Sequence, residues 1–161
     1  MAIAAFRESK KGGFRMSGSL QLALSEKAGV TLLDETTIDA FLAPSPGAPA
    51  HTLLFFGGDP QQRSETHDVA IIFPQLIETF ADRLRAAIVA PAAEKALEAR
   101  FSVCVYPSLV VTYGRETLGV LPKVYDWAEY LSRIEALLQL QTPPAKEPRV
   151  RITFTEGETS S

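Results

Sequence analysis

Short apolar runs alternate with amphipathic stretches along most of the chain. The run His51–Phe56 is stopped by two glycines, and it is typical of a strand covered on both faces of a sheet. The stretch 66–85 instead repeats apolar residues at three- and four-residue steps, which predicts a helix. After it, 86–90 predicts a short buried strand, and 92–100 is built from strong helix formers.

Pro74 leaves two interpretations of the long amphipathic stretch open. Val69–Phe73 alone is typical of a buried strand, with Pro74 starting a helix at its first position. A single helix over 66–85 would carry Pro74 in its interior, where a proline bends the helix. We favour the single helix, because the apolar stripe continues in phase across the proline.

The stretch 101–120 predicts a hairpin that closes the sheet. Leu109–Tyr113 is rich in β-branched and aromatic residues, and Thr117–Val120 follows after a turn that begins with Gly114. Tyr106–Pro107 comes just before the first strand, where a residue without an N–H is tolerated. Only about 5–6% of X–Pro bonds in folded proteins are cis, so this stretch alone favours a trans bond.

The N-terminal third predicts three smaller elements. These are a helix over 19–28, a short strand over 30–33, and a helix over 36–42 that is capped by Thr36 or Thr37. A proline-rich connection then leads to the central apolar run.

The last predicted element is a helix over 125–140. Asp126 and Glu129 have the spacing of a capping box at its start. Three- and four-residue steps place Trp127 in the core, on an apolar stripe with Leu131, Ile134 and Leu138.

From His51 onwards the order is strand, helix, strand, helix, strand, strand, helix. Strands joined by a helical crossover are parallel, and the hairpin adds antiparallel strands. The sequence therefore predicts an α/β fold with a central mixed sheet flanked by helices. We expect one domain over 19–141 between mobile tails, 1–18 and 142–161. Residues 1–15 are either part of that tail or an over-extended start, and 150–154 is a candidate edge strand.

Composition and charge exclude several classes of function. A chain of 161 residues fits one domain, and its net charge of −3 disfavours general binding to nucleic acid or anionic membranes. No apolar run approaches the roughly 20 residues that span a bilayer. Cys104 is the only cysteine, so no internal disulfide forms. Its neighbours Val103 and Val105 predict a small buried hydrophobe rather than a reactive thiol.

Neither a metal site nor a cofactor site is predicted. His51 and His67 are the only histidines, and no CxxC or HxxxH motif accompanies them. Gly57–Gly58 ends a strand and lacks the spacing of a phosphate-binding loop.

The order of elements, with Tyr106–Pro107 before the hairpin and Pro74 in the long helix, resembles the thioredoxin fold over 51–140. In that fold the proline before the hairpin is cis, and its loop faces the start of the long helix. The spacing of the fold places the redox CxxC at Thr66–Val69, where this chain has no cysteine. Dithiol exchange needs two sulfurs, so the chain is not predicted to perform it.

Four segments are together similar to hydrogenase expression proteins of the HyaE/HupG type: LLFFGGDP, SETHDVAII, EARFSVCVYPSLVV and LGVLPKVYDWAEYL. That family is thioredoxin-like, lacks the CxxC, and is associated with maturation of uptake nickel–iron hydrogenase. The predicted strand and helix over 30–42 fit its N-terminal strand–helix extension. The resemblance implies a cytoplasmic, non-enzymatic chaperone without a cofactor. Its implied partners are the Tat signal peptide of the hydrogenase small subunit precursor and other hydrogenase assembly proteins.

The resemblance also implies a binding site. Tyr106, before Pro107, would offer backbone groups to an extended peptide, with Glu65, His67 and Asp68 across the groove. The two acids would face the paired arginines of the signal peptide, because guanidinium binds carboxylate bidentately. The structural alternative is that they only favour the dipole at a helix start.

Three other interpretations remain open from the sequence. A second acidic cluster, Asp34, Glu35 and Asp39, is an alternative surface for the arginines. A thioredoxin-like glutathione-dependent or single-cysteine reductase would use Cys104. The chain would otherwise be a purely structural or oligomerisation domain.

Overall fold

The computed structural model describes residues 18–141, which form a five-stranded sheet with helices on both faces. The elements, in chain order, are α1 (Gly18–Ala28), β1 (Thr31–Leu33), α2 (Ile38–Leu42), β2 (His51–Phe56), α3 (Glu65–Thr79), β3 (Arg85–Val89), α4 (Pro91–Leu97), β4 (Ser108–Tyr113), β5 (Glu116–Pro122) and α5 (Trp127–Leu138). The predicted tails, apart from Gly18, and the candidate strand 150–154 lie outside the described residues.

The sheet is mixed, with the strand order β1–β3–β2–β4–β5. The strands β1, β3 and β2 are parallel, with Thr31 opposite Ala87 at the edge. Antiparallel β4 pairs with β2, and β5 closes the hairpin. This arrangement confirms the predicted α/β fold with a central mixed sheet.

Alternate residues of β2 contribute to two separate cores. Leu53 and Phe55 belong to the core under α1, α3 and α5, whereas Leu54 and Phe56 belong to the core under α2 and α4. All four side chains are fully buried. The apolar run therefore forms a strand covered on both faces, as predicted.

The helix α3 decides between the two interpretations of Pro74. It begins at Glu65 and passes through Pro74, so the alternative strand at 69–73 is wrong. The predicted end at 85 is also wrong, because the helix stops at Thr79 and Arg85 already begins β3. The apolar stripe extends beyond the helix because Phe80 and Leu84 in the following turn are buried as well.

The helix α5 confirms its predicted start but corrects its buried face. The Asp126 side chain accepts a 2.9 Å hydrogen bond from the Glu129 N–H. Trp127, predicted as core, is 38% exposed. Burial follows four-residue steps from Tyr130 through Ile134 to Leu138, and Trp127 is the first residue of the helix, outside this series.

The Tyr106–Pro107 peptide bond is cis. The trans bond that the local sequence favoured is therefore wrong, and the cis bond agrees with the resemblance to thioredoxin. The preference of an X–Pro bond for trans is only about 0.5–1 kcal/mol, so the surroundings of the buried Pro107 decide the isomer.

Three helices begin at the same edge of the sheet, which we call the glycine edge after Gly57–Gly58 at the end of β2. The helix α3 follows this end directly, and α5 follows β5, which runs parallel to β2. Since α1 leads into the opposite end of parallel β1, it also starts here. Tyr106–Pro107 lies at this edge too, because it precedes β4, which is antiparallel to β2. Within 18–141, no helix is long and apolar enough to cross a membrane.

Candidate functional site

Side chains from three helices hold the backbone of Gly57 and Gly58. Oε2 of Glu94, on α4, accepts hydrogen bonds from the Gly57 N–H at 2.9 Å and the Gly58 N–H at 3.1 Å. The Thr66 hydroxyl, on α3, donates to the Gly57 carbonyl at 2.6 Å. Gln21 Nε2, on α1, donates to the Gly58 carbonyl at 3.0 Å. The glycine edge is thus connected by hydrogen bonds to α1, α3 and α4.

Both positions require glycine because other groups approach the backbone closely. Gly58 has a φ of +74°, and a Cβ there would lie 2.7 Å from the Cβ of Tyr106. A Cβ on Gly57 would lie 2.7 Å from Gln21 Nε2. A left-handed backbone also disfavours every residue with a side chain at Gly58. The two glycines allow Tyr106 and α1 to pack directly against the end of β2.

Glu94 is a buried carboxyl group that sequence reasoning missed. Burial raises its pKa to about 7, although the N–H groups of Gly58 and Gly57 favour the charged form. The sequence placed Glu94 in a run of helix formers and assigned it no further role. A usable signal was its position three residues before the buried Leu97, on the apolar face of α4.

The side chain of Tyr106 faces α4. Its hydroxyl donates a 2.6 Å hydrogen bond to Glu98, and its ring lies 5.9 Å from the Arg63 guanidinium. Burial raises the pKa of the Tyr106 hydroxyl, and its hydrogen bond lowers the pKa of Glu98. Within 18–141, no hydrogen bond engages the backbone N–H or carbonyl of Tyr106. The ring is therefore fixed while the peptide groups beside it remain open to a partner.

The predicted residues at the start of α3 differ in exposure. Glu65 is half-buried, whereas His67 and Asp68 are exposed. Neither acid forms an ion pair with another residue of 18–141. Burial raises the pKa of the Tyr130 hydroxyl, and the negative charge of Asp68 raises it further, so the Asp68 carboxylate acts on the α5 side.

A series of contacts leads from Asp68 to Pro107. The Tyr130 hydroxyl, near Asp68, donates to the Lys123 carbonyl at 3.3 Å. The Lys123 N–H in turn donates to the Pro107 carbonyl at 2.8 Å. The start of α3 and the Tyr106–Pro107 turn thus share the glycine edge. They do not form one pocket, because Tyr106 faces α4 and His67 lines a groove beside α1.

That groove, which we call the α1–α3 groove, has a volume of about 450 Å³. His67 contributes to its lining near the glycine edge. Ile71 also lines it and is 65% exposed, which is unusual for an isoleucine. Most of the other wall residues are apolar: Leu20, Ala23, Leu24, Ala70 and Pro74.

The alternative acidic cluster is largely engaged within the protein. The Asp34 carboxylate accepts hydrogen bonds from the N–H groups of Thr36 and Thr37, so Asp34 rather than a threonine side chain caps this turn. Asp39 contacts Arg100 at 2.7 Å and Arg115 at 3.5 Å. The threonine caps predicted for α2 are therefore wrong, and two of the three acids already have partners.

Cys104 is exposed, so the prediction of a buried cysteine is wrong. The flanking residues Phe101 and Val103 are buried, and Cys104 points the other way in this irregular segment before β4. His51 contacts the Leu140 carbonyl at 2.7 Å, apart from His67 in the groove. Among residues 18–141, no group of three His, Cys, Asp or Glu side chains could hold a metal ion.

The sheet order and the two helical layers define a thioredoxin-like α/β protein. A solved thioredoxin variant from Halobacterium salinarum superposes with a TM-score of 0.55 at 17% identity, covering 69% of this chain and 91% of that one. The family model described as "Hydrogenase-1 expression protein HyaE" matches residues 20–130, and the chain belongs to this family. The resemblance seen in the four sequence segments is confirmed.

Two characterised relatives carry related descriptions. The hydrogenase expression/formation protein HupG of Rhizobium leguminosarum bv. viciae is 48% identical over 146 residues, covering 89% of this chain and 98% of the relative. The hydrogenase expression/formation protein HoxO of Azotobacter vinelandii is 38% identical over 138 residues, covering 86% of this chain and 88% of the relative. The similarity thus extends over nearly the whole length of both proteins.

Proposed function

We propose that the protein is a cytoplasmic, non-enzymatic chaperone for nickel–iron hydrogenase maturation that binds the Tat signal peptide of the hydrogenase small subunit precursor. Membership of the HyaE family and the descriptions of the relatives support the hydrogenase role. Other hydrogenase assembly proteins are its further partners. The binding site consists of Glu65, His67, Asp68, Tyr106 and Pro107.

One observation carries this proposal: the backbone of Tyr106 has no hydrogen-bond partner within 18–141, at an edge that also holds two acids without ion pairs. An extended peptide can add to such open backbone groups. Glu65 and Asp68 then receive the arginines, because carboxylates bind guanidinium groups bidentately. A lone cysteine in place of the family's dithiol supports binding rather than dithiol exchange.

The geometry favours the α3 acids over the second acidic cluster. Asp34 already accepts hydrogen bonds from its own turn, and Asp39 already contacts two arginines. An incoming arginine would have to displace these partners. Glu65 and Asp68 need no such exchange with a residue of 18–141.

The test is calorimetric titration of the full chain with a synthetic twin-arginine signal peptide. We expect the double change Glu65→Lys and Asp68→Lys to weaken binding at least about tenfold, because it replaces two attractive contacts with repulsion. The matched control is Glu78→Lys with Asp82→Lys, which alters the net charge equally beyond the other end of α3. Equal weakening by both variants, or by neither, would contradict the site. A wild-type chain that does not bind the peptide at all would refute the function.

A second experiment identifies the target within the precursor. Pull-downs from hydrogenase-expressing cells would compare the small subunit with and without its signal peptide. We expect recovery only with the signal peptide present. Equal recovery of both forms would show that the mature subunit is the target.

The exposed thiol of Cys104 favours a second candidate function, a glutathione-dependent or single-cysteine reductase. That enzyme would show turnover in insulin-reduction or glutathione-transfer assays. The variant Cys104→Ser would abolish the turnover. Our proposal expects no turnover from the wild-type chain, and unchanged peptide binding by the variant.

A further inference from the structure

The α1–α3 groove runs down from the glycine edge between two helices that point the same way. Both α1 and α3 begin at this edge, and the Gln21–Gly58 hydrogen bond fixes the start of α1 there. On α3 the groove extends from His67 to Gln75. At 1.5 Å per residue this is a length of about 12 Å, or roughly two turns of a helix.

The walls of this groove suit an apolar ligand. Ile71 leaves 65% of its surface exposed there, although nearby Ala70 and Leu24 are almost fully buried. A volume of about 450 Å³ lies within the range of roughly 300–1,000 Å³ that is usual for ligand sites. An apolar segment placed against Ile71 would remove this surface from water, which favours binding.

Charge gives the groove a direction. Asp68 precedes Ile71 by one helical turn, towards the glycine edge, and Glu65 lies one turn further. Lys27 lines the opposite end of the groove, in the last turn of α1. A ligand that is cationic at its start and apolar afterwards complements this order, with its basic groups at the glycine edge.

We propose that the α1–α3 groove binds the apolar segment that follows the arginine pair of the signal peptide; this inference rests on the proposed function. Secretory signals have a basic region followed by about 7–15 apolar residues. Roughly eight helical residues fit along the groove, so it holds the first half of that segment. The arginines remain at Glu65 and Asp68, and His67 lies between the two parts of the peptide.

The test compares two variants against two peptides. Ile71→Ser removes the exposed apolar side chain from the groove, and Leu22→Ser removes one of similar exposure (51%) from α1 outside the groove lining. One peptide carries the natural apolar segment, and the other keeps the arginines but has serines in place of the apolar residues. We expect Ile71→Ser to weaken binding of the natural peptide about tenfold, and to leave the serine peptide unaffected. Leu22→Ser should alter neither affinity.

The outcomes separate this inference from the proposed function. If the wild-type chain binds both peptides equally, or if Ile71→Ser has no effect on the natural peptide, the groove assignment is wrong and signal-peptide binding stands. If the wild-type chain binds neither peptide, both proposals fail. Because position 71 is exposed, neither variant is expected to disturb folding, which circular dichroism would check.

Photocrosslinking would identify the occupant directly. The residue at position 71 would be replaced by p-benzoylphenylalanine, and the full chain would be irradiated with the natural peptide. Crosslinks to the apolar residues of the peptide would support the proposal. Crosslinks instead to a second copy, or to residues 1–17 or 142–161 of this chain, would assign the groove to those segments and overturn it.

Discussion

The carboxylate of Glu94 lies 2.9 Å from the backbone N–H of Gly57, in the interior of the protein beneath the glycine edge. The same oxygen accepts a second hydrogen bond from the next residue along the chain. A group with a pKa of about 7 is therefore in direct contact with the backbone that positions Tyr106. The protonation state of this carboxyl group should affect the stability of the fold near neutral pH.

The first prediction concerns this pH dependence. An unfolded glutamate has a pKa of about 4.3, so between this pH and about 7 the folded state binds more protons than the unfolded state. The free energy of unfolding should therefore fall as pH rises through this window. Glu94→Gln keeps an acceptor but cannot ionise. Relative to the wild type, it should gain about 2 kcal/mol in unfolding free energy between pH 5 and pH 8.

Urea denaturation at several pH values measures this difference. Glu78→Gln is the matched control, because Glu78 is exposed on α3 and has no hydrogen bond or ion pair within 18–141. Its pH profile should parallel that of the wild type. A parallel profile for Glu94→Gln would contradict the assignment of a raised pKa.

The second prediction concerns the close approach of Gly58 to Tyr106. Gly58→Ala combines a left-handed backbone with a Cβ placed 2.7 Å from the Cβ of Tyr106. Gly47→Ala is a matched control, since Gly47 has a φ of +81° but nothing within 4 Å of the added Cβ. The control should lose about 1–2 kcal/mol of unfolding free energy from the backbone alone. Gly58→Ala should lose at least about 1 kcal/mol more by denaturant unfolding, and equal losses would contradict the contact.

The third prediction concerns the buried face of α5. Tyr130 is fully buried, so Tyr130→Ala should cost about 3–5 kcal/mol of unfolding free energy. Trp127→Ala should cost about 1 kcal/mol or less, because Trp127 is 38% exposed at the first position of the helix. Thermal unfolding followed by circular dichroism would rank the two variants. The reverse order would restore Trp127 to the core.

The fourth prediction concerns Cys104. Because the thiol is exposed, a small aromatic disulfide reagent should modify one cysteine per chain in the folded protein, without denaturant. The same count in denaturant would serve as the reference, and Cys104→Ser should react with neither. Reaction only after unfolding would mean that the thiol is buried.

Much of the fold follows from the sequence, because its signals are local. Asp126 and Glu129 marked the start of α5, and the apolar run before Gly57 marked the central strand. The phase of the stripe across Pro74 indicated one helix rather than a strand and a helix. Each of these signals lies within a few residues of the element that it predicts.

The remaining features depend on contacts between distant parts of the chain. Glu94 is 37 residues from Gly57, and nothing local distinguishes its carboxyl group from that of a solvated helix residue. Trp127 fits the helical period, but only the packing of Tyr130 against the sheet defines which face is buried. Cys104 has apolar neighbours in sequence, yet the irregular path before β4 turns it outwards. The resemblance to known proteins supplied the site residues, and the structure adds the α1–α3 groove beside them.

The hydrogen bond from Gln21 to Gly58 gives the first helix a part in recognition, beyond covering the sheet. Any movement of α1 away from the protein would open one wall of the groove and release the Gly58 carbonyl at the same time. A partner that grips α1 from outside would therefore loosen the hold on a bound peptide. Such a handover would let the next assembly factor remove the peptide by pulling on a single helix.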